Sequence, residues 1–290
     1  MKTKLPKLSK VVIPIAGLGT RMLPATKAIP KEMLPIVNKP IIQLIVEEAV
    51  FAGFKEVILI THSSKSSVEN HFDRSFELET ILEKRVKRSL LKEVKAISNL
   101  KISIHSIRQG FALGLGHAIS CARNIIQDEA FAVILPDMVL KESSKGTNLS
   151  KLKKDYENSG NSQILLGKAS KKEISSYGVV ETSSSFIDKI VEKPSKGKIK
   201  SNLFVVGRYV FNRKIFQFIN RRKSSENSEI ELSSAIQKFI DNGNKVSFST
   251  LKGKYYDCGN KLGYLKAIID FAIEDKDIGK KFKSHIKKIK

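Results

Sequence analysis

The fold is decided near the N-terminus by the stretch Val11-Val12-Ile13-Pro14-Ile15-Ala16-Gly17-Leu18-Gly19-Thr20-Arg21. Its first six residues form a short apolar run, which is typical of a strand buried on both faces of a sheet. Pro14 has no backbone N–H to donate to a neighbouring strand, so we expect it at the strand's end. The two glycines that follow predict a turn in which backbone N–H groups can approach a ligand closely.

The next segment completes a repeating unit of an α/β sheet. Pro24, Pro30 and Pro35 make a long helix between residues 20 and 36 improbable, because proline breaks helix interiors. From residue 40 apolar residues recur at helical spacing until Ala52-Gly53, and residues 55–61 are predicted to be a second strand. Strand, helix and strand in this order form the parallel unit of an α/β protein.

The remaining elements continue this alternation. Further strands are predicted at 102–107 (half-buried), 131–135, 163–167, 178–181, 187–192 and 203–210. Helices are predicted within 67–99, from near 117, and at 213–219, 232–242 and 261–273. The run 82–88 is interpreted as a solvated helical face, residues 143–150 and 183–185 as loops, and residues 280–290 as a basic tail or terminal helix.

Composition narrows the class of protein. The chain has 290 residues and a formal charge of +23, from 52 Lys and Arg against 29 Asp and Glu, which invites a nucleic-acid hypothesis. The basic residues are spread along the chain, however, and the absence of tryptophan does not favour a base-stacking surface. We therefore expect no nucleic-acid partner and interpret most of the charge as a solvated surface.

Membrane, secretory and cysteine-based classes are also disfavoured. No stretch approaches the roughly 18–20 apolar residues of a membrane helix, and the N-terminal lysines are not followed by the apolar region of a secretory signal. Cys121 and Cys258 are isolated, which is neither a disulfide framework nor a zinc pattern. The expected location is the cytoplasm, with no membrane partner.

The glycine loop is a weak signal alone. It lacks the third glycine of the dinucleotide fingerprint and the Gly-Lys-Ser/Thr of a Walker loop. Its two glycines could bring N–H groups to a phosphate, and Arg21 could grip phosphate oxygens in a bidentate manner. A tight turn after a strand explains the same residues equally well.

Four other residues strengthen the phosphate interpretation. Lys31 follows a proline, and Lys193 precedes one. Asp137 follows an apolar segment and Asp257 an aromatic pair, each at an expected strand end. Open α/β sheets place ligand chemistry at such strand ends. Two carboxylates, two lysines and a phosphate loop suit phosphoryl transfer assisted by Mg²⁺. Each residue taken singly could instead be a turn, capping or surface residue.

Together these motifs resemble those of bacterial UTP–glucose-1-phosphate uridylyltransferases. The resemblance rests first on Gly17-Leu18-Gly19-Thr20-Arg21-Met22-Leu23-Pro24 and Pro30-Lys31-Glu32-Met33-Leu34-Pro35. It continues through residues 61–65, 69–73, 82–88, 108–110, 114–118, 134–137, 177–180, 191–194, 206–210 and 257–264. It covers nearly the whole chain, and the longer motifs separate this family from its thymidylyl- and adenylyl-transferring relatives.

The resemblance implies the fold. It predicts one α/β domain over residues 1–290, a Rossmann-like nucleotidyltransferase fold whose mixed, mostly parallel sheet is flanked by helices. Residues from about 10 to 140 would bind the nucleotide, about 141–260 the sugar phosphate, and about 261–290 would form a C-terminal helix and basic tail. Such families also suggest a homodimer or homotetramer.

The resemblance further implies a reaction and its residues. UTP and glucose 1-phosphate would give UDP-glucose and pyrophosphate by in-line attack at the α-phosphorus, with Mg²⁺ as cofactor. The nucleotide would contact Ala16, Gly17, Leu18, Gly19, Thr20, Glu32, Gln109 and Gly114. The sugar phosphate would contact Gly178, Glu192 and Lys193, and the metal would be held by Asp137 and Asp257. The catalytic groups would be Arg21, Lys31, Lys193 and Asp137, with Arg21 and Lys31 on the UTP phosphates.

Some interpretations remain open. A nucleotide-binding protein without turnover would keep the same fold. Cys258 is interpreted as a small buried residue rather than a nucleophile, and His62, His71 and His117 as structural hydrogen-bonding residues. The connections 182–187 and 195–200 look shorter than usual for the family, and Ser228 and Ser234 stand where the family has Asp.

Overall fold

The computed structural model describes residues 5–170, 172–195, 201–219 and 229–289, and contains strands and helices in alternation. The strands are β1 (Leu8–Pro14), β2 (Pro35–Ile36), β3 (Lys39–Pro40), β4 (Glu56–Thr61), β5 (Ser103–Arg108), β6 (Ala130–Ile134), β7 (Met138–Lys141), β8 (Ser162–Lys168), β9 (Gly178–Ser183), β10 (Phe186–Glu192), β11 (Leu203–Phe211), β12 (Val246–Thr250) and β13 (Lys254–Asp257). The helices are α1 (Ile41–Phe51), α2 (Ser66–Phe72), α3 (Phe76–Lys84), α4 (Arg88–Ser98), α5 (Leu115–Ser120), α6 (Arg123–Ile126), α7 (Thr147–Ser159), α8 (Leu232–Asp241), α9 (Lys261–Glu274) and α10 (Gly279–Ile286).

A nine-stranded sheet runs through the protein in the order β5-β4-β1-β6-β11-β8-β12-β10-β9. β5, β4, β1 and β6 are mutually parallel, while β11 is antiparallel to both β6 and β8. Following the pairings through the sheet, only β10 and β11 run against β1. The predicted mixed, mostly parallel sheet is confirmed, and Pro14 ends its first strand as expected.

Apolar residues of β1 alternate between two cores. Val11 and Ile13 face a core that α1 and α7 cover, whereas Val12 faces a core that α5 and α8 cover. Successive side chains of a strand point to opposite faces, so a continuous apolar run fills both layers. Each fully buried Val or Ile side chain stabilises the fold by roughly 1.5–3 kcal/mol.

In the second half of the sheet, β11 pairs with both β6 and β9 and so brings β9 close to the end of β6. Residues 208–211 of β11 pair with β6, while Leu203 and Phe204 pair with the start of β9. β9 therefore begins beyond the point where β6 ends. In the same region the fully buried Arg208 donates to both carboxylate oxygens of Glu48 on α1, at 2.8 and 2.7 Å, and to the Leu135 carbonyl at 3.3 Å.

Several expectations need correction. The run 82–88 is not one helical face, because α3 ends at Lys84 and Val86 adopts a φ of 53° before α4 begins at Arg88. Residues 147–150 are the first turn of α7 rather than loop. β5 is an edge strand and more exposed than a half-buried strand. By contrast, one of the two expectations for residues 280–290, a terminal helix, is confirmed by the helix over Gly279–Ile286.

Two features singled out in the sequence lie outside the described residues. They are Ser228 and all but the first residue of the connection 195–200, and the expectations about them stay predictions. Within the described ranges, no helix is both long and apolar enough to cross a membrane.

Candidate functional site

The glycine loop begins where β1 ends and is held by short-range packing. Gly19 has a φ of 68°, and a Cβ there would lie 3.2 Å from the Lys31 Cβ. Thr26 Oγ1 donates to the Gly19 carbonyl at 2.8 Å. Glycine is therefore required at this position both by backbone conformation and by the close approach of Lys31.

The loop forms one wall of a cavity of about 430 Å³, which we call the first cavity. Its lining includes the predicted nucleotide-binding residues Ala16, Gly17, Leu18, Gly19, Thr20, Gln109 and Gly114, together with Lys31 and Asp137. Apart from Lys31 and Gly114, these residues follow the carboxyl ends of β1, β5 and β6. Because those strands are parallel, their ends meet at one edge of the sheet, as expected for a ligand site of an α/β protein.

Asp137 lies at the centre of a charged cluster. Lys31 Nζ donates to Asp137 Oδ2 at 3.1 Å, and Arg21 Nη2 lies 4.0 Å from the same oxygen. Burial would raise the pKa of Asp137, but the charge and hydrogen bond of Lys31, with a contribution from Arg21, outweigh it and lower that pKa. Burial would likewise lower the pKa of Lys31, but the charges of Asp137 and Glu32 outweigh the effect of burial and raise that pKa. Both groups are therefore charged near neutral pH.

A small second sheet brings Asp257 to Asp137. β13 pairs with β7 so that Asp257 lies opposite Met138, and the Cys258 N–H donates to the Asp137 carbonyl at 2.7 Å. The Gly259 N–H in turn donates to Asp257 Oδ1 at 3.0 Å. Two carboxylates that are far apart in sequence thus face the same space.

Gly259 borders the space between these charges. A Cβ built on Gly259 would lie 2.9 Å from Asp257 Oδ1, 3.3 Å from Asp137 Oδ2 and 2.8 Å from Arg21 Nη2. Only glycine leaves this point free. In the part of the chain that the structure describes, no group of three His, Cys, Asp or Glu side chains could hold a metal alone. Two carboxylates still fit Mg²⁺, which usually takes one or two protein carboxylates and completes its shell with water and substrate phosphates.

A second cavity of about 270 Å³ lies on the other side of Asp137. Its lining includes Arg21, Asp137, Tyr177, Gly178, Glu192, Lys193, Glu229, Glu231, Ser233 and Asp257. The predicted sugar-phosphate residues are therefore together, and both predicted metal ligands border them. Arg21 lines this cavity rather than the first, so its predicted contact with UTP phosphates remains a prediction.

Glu192 and Lys193 follow from the pairing of β10 with β9. Glu192 lies opposite Gly178, where a Cβ would be 3.2 Å from Glu192 Oε2. Lys193 leaves the strand with a φ of 41°, and its N–H donates to the Tyr177 carbonyl at 3.0 Å. Burial raises the pKa of Glu192; Lys193 opposes this shift, and Glu231 and Glu229 add to it.

Comparison with known proteins identifies the family to which the chain belongs. The sequence pattern of one protein family, described as "Nucleotidyl transferase", matches residues 10–273. The chain belongs to the nucleotidyl transferase family. Within this family, the predicted resemblance to UTP–glucose-1-phosphate uridylyltransferases is confirmed by relatives of that name. The protein from Haemophilus influenzae is 48% identical, covering 97% of this chain and 98% of that protein. The one from Escherichia coli K12 is 45% identical, covering 96% and 95%.

Solved structures agree with the sequence relatives. A UTP-bound UGPase from Acinetobacter baumannii superposes with a TM-score of 0.90 at 42% identity, covering 98% of this chain and all of that one. A UDP-glucose pyrophosphorylase complexed with UDP-glucose gives 0.82 at 35% identity, covering 93% of this chain and 100% of that one. The nucleotidyltransferase fold is thereby confirmed.

One predicted site residue of this nucleotidyltransferase lies apart from the cavities. Glu32 is 1% exposed, and its Oε2 accepts from Lys65 Nζ, itself 3% exposed, at 2.8 Å. Glu32 does not line either cavity, and its Oε1 has no hydrogen-bond partner among the described residues. Its part in reading the base remains a prediction that no contact supports.

Sequence reasoning overlooked several residues of the site. Gly259 and Tyr177 stood inside motifs that were recognised, but neither was assigned a role. Glu229 lines both cavities, and Glu231 lines the second. Their carboxylates follow a stretch outside the described residues, and nothing in their spacing indicates a site. Cys258 is 1% exposed, and burial, with the nearby Asp257 and Asp137, raises its pKa to about 12, so its thiol stays protonated. The interpretation of Cys258 as a buried residue is confirmed.

Proposed function

We propose that the chain forms UDP-glucose and pyrophosphate from UTP and α-D-glucose 1-phosphate. The observation that carries this proposal is that two cavities share Asp137 as a common wall residue. The first has the loop and strand ends suited to a nucleotide, and the second has the polar side chains suited to a sugar phosphate. Relatives named UTP–glucose-1-phosphate uridylyltransferase, and similar solved structures with UTP or UDP-glucose bound, support the proposed reaction.

The cationic residues would bring two anions together. Lys31 binds UTP phosphates from the first cavity, Lys193 binds the phosphate of glucose 1-phosphate, and Arg21 lies beside the shared wall. Their charges offset the repulsion between the substrates and the charge that develops during transfer. Positioning of the sugar-phosphate oxygen in line with the α-phosphorus would account for much of the rate enhancement.

Mg²⁺ bound to Asp137 and Asp257 would neutralise charge on the α-phosphate and on the departing pyrophosphate. No side chain need become covalently attached, and the protonated, buried Cys258 thiol is unsuited to that task. A protein base is not required either, because a phosphate monoester with a second pKa of about 6 is already largely dianionic near pH 7.

The test is a pyrophosphate-release assay with purified protein. UTP, dTTP, CTP and ATP are each offered with glucose 1-phosphate or galactose 1-phosphate, with Mg²⁺ and with excess chelator, and the nucleotide sugar is identified by chromatography. We expect UDP-glucose only when Mg²⁺ is present. Turnover with dTTP or ATP but not UTP would assign a sister activity, and UTP binding with no turnover would assign a non-catalytic protein.

We also propose a cytoplasmic homodimer or homotetramer with no nucleic-acid partner. Leu262, Leu265 and Ile269 are spaced along α9 and are 63%, 55% and 38% exposed, which is costly for apolar side chains in a monomer. Light scattering after size exclusion should give a mass of two or four chains. A monomer that keeps full activity would contradict this expectation.

A further inference from the structure

The side chain of Gln109 is held in the wall of the first cavity by two polar contacts. Its backbone N–H donates to the Thr61 carbonyl at 2.8 Å, and the residue is 5% exposed. Its Nε2 lies 3.3 Å from the Gly114 carbonyl oxygen and 2.9 Å from Nδ1 of His117 on α5. Gln109 lines the first cavity, whereas His117 lies behind it.

The Gly114 carbonyl decides which end of the Gln109 amide faces which way. A carbonyl oxygen can only accept, so the amide atom beside it must be the NH₂ group; the reverse orientation would oppose two acceptors. The second hydrogen of that NH₂ group then points to His117 Nδ1, which must be unprotonated to accept it. His117 is accordingly the tautomer that carries its proton on Nε2.

The neutral imidazole that this arrangement requires is favoured by its surroundings. Burial lowers the pKa of His117, because water is withdrawn from the charged form. The His117 carbonyl accepts from Ser120 Oγ at 2.8 Å, which ties the backbone of this residue to the end of α5.

With both amide hydrogens engaged, the Gln109 carbonyl oxygen is the polar atom of this side chain left for a ligand. Uracil and thymine present a donor, N3–H, between two carbonyls, whereas cytosine presents an acceptor at N3. An acceptor facing N3 therefore attracts the first two bases and repels the third. A buried acceptor facing another acceptor is costly, so this contact can discriminate strongly.

We propose that His117 is a positioning residue for base selection. It fixes the Gln109 carbonyl oxygen as the acceptor that faces the base and so favours uracil or thymine over cytosine. The inference rests on the proposed function, because it needs a pyrimidine nucleotide in the first cavity. It does not distinguish UTP from dTTP, since both bases carry N3–H.

Three substitutions at His117 test the acceptor. His117→Phe removes it while keeping a planar ring; His117→Gln places an acceptor nearer the Nε2 position; His117→Asn places its Oδ1 close to the position of Nδ1. We expect His117→Phe and His117→Gln to lower the UTP-over-CTP ratio of kcat/KM by about tenfold, the size of one net hydrogen bond. The loss should appear chiefly in the KM for UTP. His117→Asn should retain the ratio within about threefold.

A matched control separates this role from general damage. His105 lies on the edge strand β5 with 47% of its side chain exposed, so His105→Phe should leave both KM and the base ratio unchanged. Thermal unfolding checks that each variant is folded at the assay temperature. A His117→Phe or His117→Gln protein that is folded and keeps the wild-type UTP-over-CTP ratio overturns the proposal.

The tautomer can also be read in the wild-type protein without any substitution. Nitrogen-15 spectroscopy should find His117 Nδ1 unprotonated and Nε2 protonated at neutral pH, and the reverse assignment overturns the proposal. Failure of the proposed function looks different: the wild-type protein would then use no uridine nucleotide. Wild-type turnover of UTP together with an unchanged base ratio in the variants would reject only the role of His117.

Discussion

The two cavities on either side of Asp137 hold in opposite ways the lysines that we propose to bind phosphate. In the first cavity the Lys31 side chain is 17% exposed and donates to Asp137 at 3.1 Å. At the second, the Lys193 side chain is 69% exposed, with its Nζ 4.0 Å from Glu192 Oε1. A buried, bonded lysine is already oriented before its ligand arrives, whereas an exposed one must lose side-chain freedom on binding. The first cavity is therefore the more preorganised of the two.

The largest effect is expected from a change at Asp137, which lines both cavities. Asp137→Asn deletes the charge that pairs with Lys31 and one of the two candidate metal ligands. We expect kcat to fall by about 10³-fold, comparable to loss of a strong transition-state contact. Steady-state assays at saturating Mg²⁺ would measure it. Asp128→Asn, at a side chain 91% exposed, is the matched control and should be silent. An Asp137→Asn enzyme with more than about a tenth of wild-type kcat would contradict the shared role.

Filling the space between the carboxylates should have the next largest effect. In Gly259→Ala the new methyl group would crowd Asp257 Oδ1 and Arg21 Nη2, at 2.9 and 2.8 Å. We expect kcat to fall by about 10²-fold, as for a displacement of reacting groups by about 1 Å. The Mg²⁺ concentration for half-maximal activity should rise as well.

The matched control is Gly110→Ala, where a Cβ would meet nothing within 4 Å. Titrating Mg²⁺ against initial rate compares the two variants. If Gly259→Ala left both kcat and the Mg²⁺ requirement at wild-type values, the metal would have to lie elsewhere.

Removing the exposed lysine should affect one cavity only. Lys193→Ala is expected to raise the KM for glucose 1-phosphate by about tenfold or more, because a charge-assisted bond to phosphate is lost. The KM for UTP should change far less. Lys189→Ala, at an exposed lysine on β10, the strand that ends just before Lys193, provides the control. Equal changes in the two KM values would show that the lysines do not divide between substrates.

A rise in salt concentration should give the smallest effect, and it tests most finely the difference in exposure between Lys31 and Lys193. Raising ionic strength from about 0.1 to 1 M shortens the screening length from about 10 to 3 Å, and exposed charges are screened most. We expect the KM for glucose 1-phosphate to rise about two- to threefold more than the KM for UTP. Lys193→Ala should abolish that difference. A larger response for UTP would mean that Lys31 is more accessible to ions than its burial suggests.

Much of this architecture could be predicted because local patterns decide it. The apolar run before Gly17 predicts a strand buried on both faces, and Pro14 ends it because proline cannot donate to a neighbour. The helix after Pro40 and the strand up to Thr61 follow the same logic. The alignment of parallel strand ends then brings the glycine loop, Gln109 and Asp137 to one edge.

What could not be predicted depends on contacts between distant residues. Arg208 stands in an otherwise apolar strand and can be fully buried because Glu48, on α1, accepts two of its hydrogen bonds and the Leu135 carbonyl accepts another. The burial of Glu32 was hard to predict for the same reason, because its buried partner Lys65 lies in a different segment of the chain. The break between α3 and α4 also escaped prediction, because Val86 adopts a left-handed conformation that its sequence does not favour.

The pairing of β7 with β13 has a consequence for the order in which the protein becomes competent during synthesis. Most of the first cavity's wall is complete once residue 137 has emerged, but Asp257 arrives only with β13, near the C-terminus. A domain generally folds as one unit. The two carboxylates of the site therefore come together only after β13 has been made, and turnover would begin only when translation is nearly finished.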